Sequence, residues 1–373
     1  MPTMNAKLLA AGALAAALLI AGVPLGTSSA TAGTAKKIML AGDSITQGRN
    51  GDYTWRYRFA MELKRQGVSN VDLVGPNRYP HSFGSSGVHH YLASGWDADH
   101  DAVSGTTLSA QVGSIGGQVA TYQPDILVSF LGTNDLMEIA RKYPSATSAQ
   151  LLPLYRQRID EMIANWKLYI SKARAAKSGL EIVLGEVVAP EVPVEIRDEY
   201  NADLADVARD SSVLQKPVVL AQLAGSIWSS PQYLYDGLHP TPTAETQLAQ
   251  KFAEAINEAE PGFFPSEIKI QRAYVPWNPP LQTKIVVTGR RLNLSWAYTA
   301  TANTVTKMRV KVTTVRSGSQ RLGAFQSATR WKSQPLKPGT YRLSIQGSRG
   351  SMTSTWSPAI LVKITKSGSK VKY

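Results

Sequence analysis

Five short runs rich in apolar residues constrain this chain more than any other feature: Lys37–Gly42, Val71–Gly75, Asp125–Leu131, Leu180–Val188 and Val218–Leu223. Each is short for a helix, and most lack the apolar–polar alternation of a half-exposed strand, so they read as strands buried on both faces. Between and after them lie stretches with apolar residues near helical spacing: Thr54–Gln66, Thr106–Tyr122, Ser148–Lys177, Val194–Asp210 and Thr243–Glu258. Strand and helix in alternation imply a parallel sheet covered on both faces. Such sheets bind ligands beyond their C-terminal strand ends, so polar residues there are the first functional candidates.

The alternation stops at Glu260–Pro265, and shorter stretches of period two follow: Leu292–Trp296, Met308–Thr314, Tyr341–Ile345 and Ile360–Ile364. Turn formers such as Pro338–Gly339 separate them, which predicts an all-β sandwich. At 373 residues the chain is long enough for two such units. Their charge differs. Residues 36–261 hold 20 Lys and Arg against 26 Asp and Glu, whereas residues 262–373 hold 19 against a single acid, Glu267. Two electrostatic tasks follow, although solubility alone is a plainer account of the basic half. The first 32 residues read as an export signal: Lys7, the apolar run Leu8–Leu25 and the A-x-A site Ala30–Ala32. The expected organisation is a signal peptide over 1–32, an α/β domain over 36–259 and a β domain over 266–373, in a secreted protein. The chain has no cysteine, which excludes disulfides, thiolate nucleophiles and cysteine zinc sites.

Ester hydrolysis needs a nucleophile, a base in reach, a group that orients the base and donors for the oxyanion. Ser44 ends the first strand, Asn134 follows the third, and His239 stands three residues after Asp236, just before the last helix of the α/β region. A parallel sheet brings such residues to one rim. Plainer readings exist for each: Ser44 as a turn or helix cap, Asn134 as a helix cap, Asp236 as a turn residue beside Gly237, and His239 as a surface histidine. The other four histidines, at 81, 89, 90 and 100, fall in a long aperiodic stretch, 76–104, of a kind that is usually functional. Within it Asp97-Ala98-Asp99-His100-Asp101 begins like a calcium loop, but Ala102 stands where glycine is needed and Leu108 where glutamate is. No metal or cofactor is expected.

Gly42-Asp43-Ser44, Gly105, Gly132-Thr133-Asn134-Asp135 and Asp236-Gly237-Leu238-His239 together resemble the four blocks of the SGNH, or GDSL-type, hydrolases over about residues 36–258. The resemblance implies a flavodoxin-like α/β/α fold. It implies Ser44 as nucleophile, His239 as base and Asp236 as its orienter, with an oxyanion hole from the Ser44 and Gly105 N–H groups and the Asn134 side chain. Val71–Gly75, the acidic loop and Gly105 also resemble carbohydrate esterases of the acetylxylan esterase type. The nucleophile elbow G-x-S-x-G of α/β-hydrolases is absent.

The C-terminal part resembles a fibronectin type III module at Leu294-Ser295-Trp296, Leu336–Leu343 and Trp356-Ser357-Pro358. Trp296 and Trp331 are expected in its core, and the sequon Asn293-Leu294-Ser295 in a buried strand. The function expected is a secreted serine esterase that removes acyl groups, chiefly acetyl, from polysaccharide. A lipase or phospholipase-type acylhydrolase is one alternative and a non-catalytic cell-surface protein that binds polyanions is another. The expected partners are an acylated polysaccharide or other ester substrate, with an anionic polymer or cell wall as a candidate contact through 262–373.

Overall fold

The computed structural model describes residues 34–49, 52–81, 90–224, 233–234, 236–270, 281–298, 307–349, 352–366 and 368–371. The expected signal peptide lies outside them, as does His89. Strand β1 (Lys36–Gly42) is followed by the one-turn helix α1 (Ser44–Gln47), α2 (Thr54–Arg65), β2 (Val71–Val74) and the two-residue β3 (Asp101–Ala102). Then come α3 (Leu108–Tyr122), β4 (Ile126–Phe130), α4 (Thr133–Lys142), α5 (Ser148–Ala176), β5 (Glu181–Gly185), α6 (Val194–Ser211), β6 (Val218–Ala221) and α7 (Pro242–Ala259). The strands pair in parallel in the order β2-β1-β4-β5-β6, with β3 against the end of β1. Setting β3 aside, this is the flavodoxin-like order.

Both faces of the sheet are covered, which is why the central strand β4 is buried at every position and the runs Ile38–Leu40 of β1 and Ile182–Leu184 of β5 are apolar. Along β1, Ile38 and Leu40 enter one core with α2 and α7, while Met39 and Ala41 enter the other with α3, α4, α5 and α6. Successive side chains on a strand point to opposite faces, so one strand serves both cores. The sequence pattern misses α4 and β3. It reads α3 as starting two residues early, because Thr106 and Thr107 precede the helix and Thr107 caps it. Helix α5 keeps Pro153 in its second turn, just past the first-turn positions where a missing N–H costs nothing.

The β region is antiparallel. One sheet has the order β10-β9-β12-β14-β15: β10 (Gln320–Leu322), β9 (Lys307–Thr314), β12 (Gly339–Arg349), β14 (Ile360–Thr365) and β15 (Gly368–Val371). Strand β13 (Met352–Trp356) pairs with β12. The second sheet is β11-β8-β7, from β7 (Leu281–Thr288), β8 (Arg291–Tyr298) and β11 (Arg330–Lys332). Leu292, Leu294 and Trp296 of one sheet and Val310, Leu343, Ile345 and Val362 of the other belong to one apolar cluster. Trp296 is buried as expected, while Trp331 is half-buried against the cluster. Asn293 is half-buried in mid-strand β8. Between the two regions, residues 266–270 form a strap: Gln66 accepts from Ser266, Glu62 accepts from the Lys269 N–H, and Gln250 bonds both Ile268 and Ile270.

One buried carboxyl works against the fold. Asp101 is 3% exposed, and its Oδ2 has no hydrogen-bond partner among the described residues. Burial pushes its pKa up to about 6 from 3.8. The folded state therefore binds this proton more tightly than the unfolded chain, and this group costs stability as pH rises from about 4 to about 6. We expect the unfolding free energy of Asp101→Asn, relative to wild type, to improve by roughly 3 kcal/mol between pH 4 and pH 7.5. Denaturant titrations at the two pH values measure this, and a pH-independent difference would contradict it.

Candidate functional site

The sheet reverses its strand order at β1. The chain leaving β1 builds α2 on one face, and the chain leaving β4 builds α4 and α5 on the other. Gly42 and Phe130 sit level in the register, so both strands end together and a crevice opens beyond them. Ser44 and Asn134 stand at its two lips.

The turn at Ser44 is tight. A Cβ on Gly42 would lie 2.3 Å from Thr46 Oγ1 and 2.9 Å from the Phe130 carbonyl, so glycine is required there by space. Asp43, not Ser44, caps α1, its Oδ1 accepting the Ile45 N–H at 2.9 Å. The Ser44 side chain is thereby left for other use. Its Oγ lies 2.9 Å from Nε2 of His239, and His239 Nδ1 lies 2.9 Å from Oδ2 of Asp236. Asp236 is also a turn residue, as its plainer reading held: Oδ1 accepts the N–H groups of Leu238 and His239. These bonds fix both ends of the Asp236–His239 turn. Burial acts to raise the Asp236 pKa, but the hydrogen bond and charge of His239 and the two N–H groups outweigh it. The carboxylate is held below its ordinary value. Helix α7 begins directly after, and it is tied to α2 by a buried ion pair, Arg58 to Glu245 at 3.1 Å. Losing one partner of such a pair leaves a buried charge, which costs about 3–5 kcal/mol. The loop that presents His239 therefore rests on a rigid base.

Asn134 is not a helix cap. Gly132, at φ +111°, takes that place, and Asn134 Nδ2 donates to Asp43 Oδ2 at 3.2 Å and to the Thr106 carbonyl at 3.0 Å. Both amide hydrogens are placed, so donation to an oxyanion means sharing or giving up one of these bonds. Thr106 adjoins Gly105, whose φ is +80°; a Cβ there would meet nothing within 4 Å, so conformation rather than space calls for glycine. The Gly105 turn is pinned at both sides. The Val103 N–H donates to the Gly42 carbonyl, and Asp135 accepts the Leu108 N–H at 2.9 Å. Ser44, Gly105 and Asn134 thus border one crevice, with Ser44, Asp236 and His239 in one hydrogen-bonded line.

Two residues of this arrangement carried no local signal in the sequence. Arg49 Nη1 lies 3.3 Å from Asp236 Oδ2, on the carboxylate that also receives His239. Arg56 is fully buried and donates to the carbonyls of Thr46 and Ala98 and to the Tyr91 hydroxyl, which itself donates to the Gln47 carbonyl. It braces α1 against the 90–100 loop without a carboxylate in contact, and burial lowers its pKa. Asp43, part of the Gly42-Asp43-Ser44 block, is buried as well: burial, with repulsion from Asp135, pushes its carboxyl up to about 7.

The remaining candidates separate. His100 is buried, accepts the Ala102 N–H on Nδ1 and lies 3.3 Å from the Tyr91 hydroxyl through Nε2; burial and Arg56 push its pKa well down. His90 is exposed, and His81 bridges to Arg49 by backbone. The three aspartates of the calcium-like stretch face different partners: Asp97 accepts the Leu73 N–H, Asp99 pairs with Arg78, and Asp101 is buried in β3.

A model of the GDSL-like lipase/acylhydrolase family matches residues 40–245, more than half of the chain. A multidomain esterase of Ruminococcus flavefaciens is 28% identical over 243 residues, covering 61% of this chain and 29% of that protein. The chain thus spans under a third of this curated relative. Among solved structures, a carbohydrate esterase family 3 protein from Talaromyces cellulolyticus superposes with a TM-score of 0.47 at 21% identity. It covers 60% of this chain and 98% of its own. A family 3 carbohydrate esterase of Clostridium thermocellum gives 0.45 at 21% identity, with 60% and 97% covered.

The space at Gly42 yields a direct test of how rigid the site is. Gly42→Ala must push the Thr46 side chain and the Phe130 carbonyl aside, and the Asp43–Ser44 turn moves with them. We expect turnover of p-nitrophenyl acetate to fall by about 10²-fold, as displacements near 1 Å do at reacting centres. The thermal midpoint should fall as well. Unchanged turnover would show that the turn yields at no cost to the site.

Proposed function

The chain belongs to the GDSL-like lipase/acylhydrolase family and its α/β domain is a serine ester hydrolase; from that premise we propose that the whole protein is a secreted esterase removing acetyl groups from polysaccharide. The observation that supports the mechanism best is the unbroken line from Ser44 Oγ to His239 Nε2 and from His239 Nδ1 to Asp236 Oδ2, both contacts 2.9 Å.

In this reading Ser44 Oγ attacks the ester carbonyl carbon and its proton passes to His239 Nε2. Asp236, held ionised, accepts the Nδ1–H and stabilises the imidazolium that forms. The tetrahedral oxyanion takes N–H donors from Ser44, Gly105 and Asn134. One such donor is worth about 3–4 kcal/mol in comparable sites. The imidazolium returns its proton to the departing sugar alcohol, leaving an acyl-Ser44. Water, activated by the same imidazole, then releases the acid and restores the hydroxyl.

Acetyl rather than long-chain ester is favoured in this reading because Val71–Gly75, the acidic loop 97–101 and Gly105 resemble carbohydrate esterases of the acetylxylan esterase type. Export is supported by the leader-like residues 1–32 and the absence of cysteine. We place the domain limits at 1–32, 36–259 and 266–373. The β region is read as a fibronectin type III-like sandwich, because its two antiparallel sheets share one apolar cluster. Its excess of positive charge is read as a tether to an anionic polymer outside the cell.

A p-nitrophenyl ester series tests the substrate class, with Ser44→Ala as the blank. We expect kcat/KM for the acetate to exceed that for the octanoate by about tenfold or more. A preference for the octanoate would favour the lipid alternative.

A further inference from the structure

The three-stranded sheet of the β region turns one face to the apolar cluster and leaves the other open as a groove. Central strand β8 supplies the floor with Asn293 and Ser295, which alternate with the core residues Leu292, Leu294 and Trp296. Lys284 of β7 and Arg330 of β11 flank Ser295 from opposite sides, and Val286 and Lys332 flank Asn293 in the same way. Strand geometry sets the two walls about 10 Å apart and successive rows about 7 Å apart. The groove encloses about 510 Å³.

Lys284, Arg330 and Lys332 are exposed, and none of them takes part in an ion pair among the described residues. From Gly262 onward the sequence offers one acidic side chain, Glu267, which pairs with Lys269. Three cations at fixed spacing around a floor of amide and hydroxyl groups suit a ligand that brings both negative charge and hydroxyls. A nucleic acid is served less well, because Trp331, the one aromatic residue among those lining the groove, is half-buried against the core. A lipid surface is also served less well, since Val286 is the only exposed apolar side chain among those lining the groove.

We propose that the groove floored by Asn293 and Ser295, with Lys284, Arg330 and Lys332 on its walls, binds a carboxylated polysaccharide. This deepens the tethering part of the function above and stands apart from its esterase part. The cations take the carboxylates, Asn293 and Ser295 take hydroxyls, and the α/β domain is thereby held beside a carbohydrate chain.

The test uses the full chain on immobilised polygalacturonate, neutral xylan and single-stranded DNA, at about 50 mM and about 500 mM salt. Turnover of p-nitrophenyl acetate is followed in parallel. We expect retention on polygalacturonate at low salt and release at high salt, with weaker retention on DNA at equal charge. The variant Lys284→Gln/Arg330→Gln/Lys332→Gln should bind polygalacturonate about tenfold or more weakly, with turnover unchanged. The exchange Lys284→Arg/Arg330→Lys/Lys332→Arg should keep binding, which separates charge from misfolding. A control with equal charge loss elsewhere, Arg316→Gln/Lys337→Gln/Lys363→Gln, should lose less than about threefold. Equal losses in the groove variant and the control would overturn the groove while leaving tethering intact. No retention on polygalacturonate at low salt, or tighter retention on DNA, would overturn the carboxylated ligand. Salt-insensitive retention on neutral xylan would do the same in favour of uncharged sugar.

Discussion

Two neighbouring parallel strands whose chains depart toward opposite faces part company at their C-terminal ends, and β1 and β4 do this at Gly42 and Phe130. The crevice that results positions everything else. Ser44 and Asn134 reach it because each follows one of the two strands. His239 reaches it because α7, anchored by the buried Arg58–Glu245 pair, starts at its edge. The Gly105 turn reaches it because its neighbour Val103 is hydrogen-bonded to Gly42 itself. Gly42 serves as the pivot: it admits no side chain, it ends the strand, and its carbonyl carries the neighbouring turn.

Environment separates three carboxyl groups within this small region. Asp236 receives an imidazole, two N–H groups and the Arg49 guanidinium, and stays ionised. Asp43 is buried near Asp135 and is pushed toward neutrality, although it still accepts from Ile45 and Asn134. Asp101 is buried without such bonds on Oδ2 and is raised for that reason alone. The same side chain therefore serves as an anchor for an imidazole, as a brace for a turn and as a cost to the fold, according to its neighbours. Arg56 extends the logic to a cation: carbonyls and a hydroxyl, rather than a carboxylate, satisfy it.

Much of this was legible in the sequence, and the reasons differ by element. The buried strands showed because both faces are covered, so their apolar runs stand out. Ser44, Asn134, Asp236 and His239 showed because each falls at a strand end or before a helix, where a parallel sheet collects them. The plainer reading of Asn134 as a cap failed, since Gly132 takes that place. Helix α4 was missed because Gly132–Asp135 reads as a turn, and β3 because two residues make no period. Arg49 and Arg56 were not legible at all. Their partners are carbonyls, a hydroxyl and a carboxylate distant in sequence, which leave no pattern around an arginine. In the β region β7, β10, β11, β13 and β15 escaped, because short or polar-faced strands lack a strong alternation. The groove of β8 became visible only with the register, which sets Lys284 and Arg330 on either side of Ser295.

The central claim is that Ser44 becomes covalently acylated with His239 as its base. An active-site phosphonate ester, allowed to react with the full chain and followed by mass spectrometry of the digested protein, tests it most directly. The account predicts one phosphonyl adduct, on the peptide containing Ser44, with labelling and loss of esterase activity proceeding at the same rate. It further predicts that His239→Ala labels at least about 10²-fold more slowly, because the hydroxyl then keeps its proton. An adduct on another residue accompanying the loss of activity, or activity that survives full labelling of Ser44, would contradict it.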